Sequence, residues 1–286
     1  MNSLHTFFLK NNYLKAYDNV FASLDFRRNL HPSVSLNTSI DYESRDPLLN
    51  TFNLDEEDFT SNDPLFPNSF VPSFEPHDAL VVSLNFRFRF GREVWRYPDQ
   101  VFLSSSKWPT IDVSYRGGFR DVNYHLIGTT IQDRIPLGIV GQTRVFGRAA
   151  TFIGDKPEYV MDFIHVRGNQ TFIADGSTIN QYYLLPFYTH SADDYSIQFH
   201  AQHQFKGYLL SKVPLLRKTQ FQLLAGYKYL QTNVQPTYQE VHVGIENIGW
   251  GVARLFRLDA VWSLGDIQEL NSNSSFGVLV SLGIDF

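Results

Sequence analysis

The sequence predicts an all-β fold, a transmembrane antiparallel β-barrel, and three observations carry that prediction. Apolar residues recur with a period of two, the runs are about ten residues or longer, and the intervening face is charged or amide-bearing. The 286 residues include 25 Phe, 15 Tyr and 4 Trp, an aromatic share of 15% in a chain without a long apolar stretch. A membrane-crossing helix needs about 18 or more consecutive apolar residues, so a helical span is excluded. Strands conceal the same apolar content at alternate positions.

The clearest run is Leu80, Val82, Leu84, Phe86, Phe88 and Phe90 on one face, against Val81, Ser83, Asn85, Arg87 and Arg89 on the other. Ile197, Phe199 and Ala201 alternate in the same way with Gln198, His200 and Gln202. Alternation alone also fits a soluble sandwich, which buries one face of each strand. Length and wet polar walls decide for the barrel: soluble strands average roughly five or six residues, and membrane strands need about 9–11.

In chain order, the spacing of Leu4, Phe7, Phe8 and Leu14 predicts a short amphipathic helix within residues 1–16. Eleven spans follow, at 20–28, 33–46, 80–91, 108–117, 123–135, 142–153, 195–209, 219–230, 240–247, 255–264 and 276–286. The apolar run 182–188 is read as part of a loop. If the last strand runs inward, the two longest connections, 47–79 and 154–194, both fall outside. The inner turns are then short, as outer-membrane barrels require, except 92–107. Single-chain bacterial barrels have even strand numbers, so an odd count and a start without a leader-like segment predict the C-terminal portion of a longer protein. A complete product would instead need twelve strands or a soluble β fold.

A net charge of −5 lacks the basic excess of a nucleic-acid binder. With no Cys, disulfides, thiolate nucleophiles and Cys-based metal sites are excluded. His200 and His203 fall on opposite strand faces, so they cannot jointly hold a metal. His190, Asp193 and Asp194 read as a solvated loop tip, as does the acidic tract 53–76, which lacks calcium-loop spacing. No cofactor or metal is predicted, and no catalytic motif is present. The charges Asp41, Glu43 and Asp112 are expected to face Arg87, Arg89 and Arg116 as an ion-pair ladder bracing the inner wall. The strictly alternating end, 278–286, closes on Phe286 and resembles the signature strand that barrel-assembly machinery recognises.

Asn11-Asn12-Tyr13-Leu14-Lys15, Arg45-Asp46-Pro47-Leu48, Gly168-Asn169-Gln170-Thr171, Leu184-Leu185-Pro186-Phe187-Tyr188, Gly207-Tyr208-Leu209-Leu210, Pro214-Leu215-Leu216-Arg217-Lys218 and Val243-Gly244-Ile245-Glu246 occur in this order. The series resembles a large family of uncharacterised Bacteroidetes-type outer-membrane proteins, in which a carboxypeptidase-regulatory-like domain precedes a long domain ending in a barrel. More loosely, the chain resembles the surface-antigen superfamily of outer-membrane insertases and translocases. There a sixteen-stranded barrel folds the Val-Arg-Gly-aromatic tip of a long loop into its lumen. The matching residues are Val166, Arg167 and Gly168, with Asn169 where the aromatic is expected. The resemblance implies that Arg167 enters the lumen and pairs with an acidic wall residue, and that this chain supplies strands six to sixteen. The implied setting is the bacterial outer membrane. The implied partners are its lipids, the assembly machinery and the upstream portion of the same protein. The expected role is non-enzymatic: translocation, insertion or anchoring. A passive pore or ligand-uptake channel is the alternative. A barrel hydrolase would need a nucleophile beside His190 or His200.

Overall fold

The computed structural model describes residues 17–47, 74–106, 108–169, 171–176, 178–214, 216–250, 253–264 and 275–282. The expected N-terminal helix, most of the acidic tract and Phe286 lie outside them. Among the described residues the chain is all-β. Eleven long strands are β1 (Asp18–His31), β2 (Val34–Asp46), β3 (His77–Arg89), β6 (Thr110–Arg120), β7 (Tyr124–Pro136), β8 (Gln142–Phe152), β10 (Tyr195–Lys206), β11 (Gln222–Thr232), β12 (Tyr238–Trp250), β13 (Ala253–Leu264) and β14 (Phe276–Leu282). Three short ones are β4 (Val94–Arg96), β5 (Val101–Leu103) and β9 (Ile173–Asp175).

The long strands form an antiparallel meander in sequence order, joined by β9 into one sheet of 12 strands. Most have 11 to 14 residues, as the length of the alternating runs requires. The long connection between β3 and β6 holds β4 and β5, which among the described residues pair only with each other as a small separate hairpin. Gly141 closes the turn before β8 at φ +123°, where a side chain would run into the Gln204 carbonyl. β12 runs past its expected end because register shifts after Ile245, with Asn247 in the left-handed region at φ 64°, re-aim the strand and let pairing resume.

Two features depart from an ideal closed meander. β9 pairs with β14 in parallel, so the sheet is not wholly antiparallel. Barrel closure is not seen: among the described residues β1 pairs only with β2, and the other edge is taken by β9.

The sheet is inverted relative to a water-soluble one. On β10, Gln198 and His200 are 4% and 0% exposed, while their neighbours Ile197 and Phe199 are 43% and 44% exposed. β13 repeats this, with Arg257 and Asp259 buried between exposed Phe256 and Leu258. What covers the polar face is the connection 153–194. Ile164 and Ala192 exchange backbone hydrogen bonds of 2.8 and 3.0 Å that clip the two limbs of this loop together. Among the described residues, the loop contributes to all three apolar clusters. It places Ile164 and Ala192 against Tyr124 and Phe152, Tyr182 and Leu185 against Leu230 and Tyr238, and Tyr183 against Val261 and Leu279.

Candidate functional site: a loop clasped to the polar face

The loop is held at two places by charges that belong to strands far apart in the sheet. At the first, Asp162 is 2% exposed. Its carboxylate accepts two bonds from the Arg45 guanidinium of β2, at 2.8 and 3.1 Å, and one from the Tyr124 hydroxyl of β7, at 2.9 Å. Arg116 of β6 donates to the Asp162 carbonyl at 2.5 Å. A bidentate Arg–carboxylate pair fixes orientation as well as distance.

At the second, Tyr183 is the keystone. Its backbone N–H donates to Glu240 of β12 at 2.8 Å, and the next N–H, of Leu184, donates to the same carboxylate at 3.1 Å. The Tyr238 hydroxyl and Lys228 complete the shell of Glu240 at 2.9 and 3.2 Å. The Tyr183 ring lies under the Lys228 ammonium, 2.9 Å from its centroid, and edge-on to His242. Arg257 donates to the Tyr183 hydroxyl at 2.9 Å while gripping Asp259 at 2.7 and 2.8 Å. Burial raises the phenols of Tyr182 and Tyr183 above their ordinary range, so both stay protonated. Lys228, Glu240, Arg257 and Asp259 are all nearly inaccessible. Buried charges persist only when paired and hydrogen-bonded, and here the loop's own backbone completes the pairing.

The Val166-Arg167-Gly168 segment sits in this loop. Val166 joins the Tyr182 cluster, and the Arg167 carbonyl accepts from Tyr182 N–H at 2.8 Å. Gly168 is required by close approach: a Cβ would meet the Leu185 and Pro186 carbonyl oxygens. Arg167 corrects the expectation of an acidic wall partner. Its guanidinium donates to Asn180 of its own loop at 3.4 Å, and no ion pair of Arg167 is found among the described residues. The wall and loop do share an ion pair, with the polarity reversed: the acid, Asp162, is on the loop and the Arg is on the wall. Asn169 is buried, and its side chain binds the backbone of Thr171 and Tyr183, tying the turn rather than presenting a ring.

The inner-wall ladder forms only in part. Arg87 and Asp112 pair at 2.6 Å because they are direct neighbours in the β3–β6 register. Register also explains the rest: Asp41 and Glu43 lie opposite Val81 and Ala79, far along β3 from Arg87 and Arg89. Glu43 therefore pairs with Arg45 at 2.7 Å, and Asp41 accepts from Ser23 and Ser39. Arg89 makes no ion pair among the described residues. His190 is not on a solvated tip: it is 4% exposed, its Nε2 lies 3.3 Å from the Pro236 carbonyl, and burial lowers its pKa. The nearby His165 Nδ1 lies 2.8 Å from Ser191 Oγ, but Ser191 does not line the pocket that His165 lines.

Sequence reasoning missed Asp162, Tyr183, Lys228, Glu240, Arg257 and Asp259. The available signal was full charges in mid-strand among apolar neighbours, as in Phe256-Arg257-Leu258-Asp259.

Fold and site together define an all-β protein in which one large sheet turns its polar face inward onto a long, charge-clasped loop. The chain belongs to the family of unknown function DUF5686, as its C-terminal domain, whose model matches residues 1–245. No curated protein matches it.

Proposed function

We propose that this chain is the C-terminal part of a bacterial outer-membrane β-barrel of the Bacteroidetes type, with the clasped loop standing in the lumen. Its role on this reading is non-enzymatic: translocation, insertion or anchoring at the outer membrane. The observation that carries it is the inverted polarity of the sheet. Exposed apolar rows such as Phe256 and Leu258, backed by buried Arg257 and Asp259, are unfavourable in water and favourable against lipid. The open edges at β1 and at β14–β9 are where upstream strands of the same protein would complete the barrel.

The loop favours a gated role over a passive pore. It is clasped to the wall at two places on the polar face, where a wide aqueous channel would leave the wall solvated. The likeness to insertases and translocases rests on Val166, Arg167 and Gly168 in such a loop. The test is conductance of the full-length protein in planar bilayers. Wild type is expected to be closed or nearly so, and Tyr183→Ala, which unseats the loop, to open it. A wild-type conductance as large as the variant's would favour the passive pore.

A further inference from the structure

The polar face is not filled everywhere. Between the loop and β6–β8, at the end of the sheet where the short turns lie, is a cavity lined by Trp108, Gln132, Arg134, Arg144, Arg167 and Asn180, among others. Its charge is one-sided: among the described residues three arginines line it against one acidic residue, Asp133. Arg134 and Arg144 are direct cross-strand neighbours, a placement in which like charges repel. Further along the same face of β8, Arg148 has no hydrogen bond or ion pair among the described residues, and Arg116 and Arg167 are near enough to repel it. The Nε of Arg116 is buried without a partner.

Arg134, Arg144 and Arg167 together give the cavity a positive lining. An oxyanion complements such a lining and fits the planar donor fork of Arg bidentately. We propose that this cavity binds a phosphate-bearing ligand, held by Arg134, Arg144 and Arg167 and admitted from the short-turn end of the sheet. Arg167 and Thr178 also line a second pocket, formed by the loop itself with His165 and Tyr188, so the two cavities adjoin at these residues. Among the described residues, the guanidinium bond an incoming oxyanion displaces from Arg167 is the long 3.4 Å one to Asn180. The direction of entry rests on the barrel reading above, in which the short-turn end is periplasmic; the site itself rests on the sheet and loop alone.

Trp108 on the cavity wall is a built-in reporter. The full-length protein in detergent micelles is titrated with inorganic phosphate, ionic strength held constant with chloride, and in a second arm with short-chain phosphatidic acid. A saturable change in tryptophan emission is expected, absent in Trp108→Phe and shifted to about tenfold higher concentration in Arg134→Gln. Arg134 is at the exposed rim, so its replacement leaves the fold intact, as unchanged heat-modifiable mobility will show. A response to inorganic phosphate assigns a free oxyanion, and one to the lipid alone assigns a headgroup. No response in either arm, or a response that chloride matches and Arg134→Gln retains, overturns the proposal. Wild type without heat-modifiable mobility contradicts the barrel reading instead, and Trp108 still reports whether phosphate binds.

Discussion

Glu240 concentrates the energetics of the clasp in one side chain. It receives two loop N–H groups, a phenol and an ammonium, all within 3.2 Å and almost without solvent. Removing one partner of a buried ion pair typically destabilises by about 3–5 kcal/mol, because the other charge is left uncompensated. Glu240→Gln should therefore lower stability by about that amount in denaturant titrations of the micellar protein. Lys228→Met in the same chain should recover part of the loss, since it removes the stranded ammonium. If the double variant is as unstable as the sum of the two single changes, the pair is not coupled as described. None of this was visible as a pair in the sequence, where Lys228 and Glu240 are simply two charges in neighbouring strands. Only the β11–β12 register makes them opposite one another.

At the scale of elements, the eleven long strands were legible because each carries its own alternating pattern, and a pattern of that length fits nothing but a strand. Register was less legible. It is set by turn length and bulges, and a slip of a few residues decides whether Asp41 meets Arg87 or Val81. β9 was illegible for the same reason: three residues contain no periodicity, and its partner β14 is distant in sequence. The loop was recognised as an excursion, but its inward course depends on contacts such as Asp162 with Arg45, 117 residues apart. Gly168 tests that course. Its Cβ position is taken by the Leu185 and Pro186 carbonyls, so Gly168→Ala must force the two limbs apart. The cost is about 1–3 kcal/mol, and protease cleavage within 165–190 should become faster than in wild type. An unchanged cleavage rate would mean that the limbs are not packed there.

For the whole molecule, composition and inverted polarity are two views of one arrangement. The aromatic excess lies partly on the exposed wall, as Phe199, Phe256, Trp262 and Phe276, and partly under the loop, as Tyr182, Tyr183 and Tyr238. Sequence alone located the first group and not the second, since Tyr182 and Tyr183 lie in a loop with no periodic partner and Tyr238 precedes the span expected from 240. The absence of native cysteine in this chain makes the wall directly testable. Single cysteines at 197, 198, 199 and 200 in the full-length protein, reconstituted in lipid vesicles and spin-labelled, should alternate in accessibility. Positions 197 and 199 should be open to lipid-soluble oxygen and closed to a water-soluble nickel chelate, with 198 and 200 shielded from the lipid phase. Chelate access at 197 and 199 would contradict a lipid-facing wall.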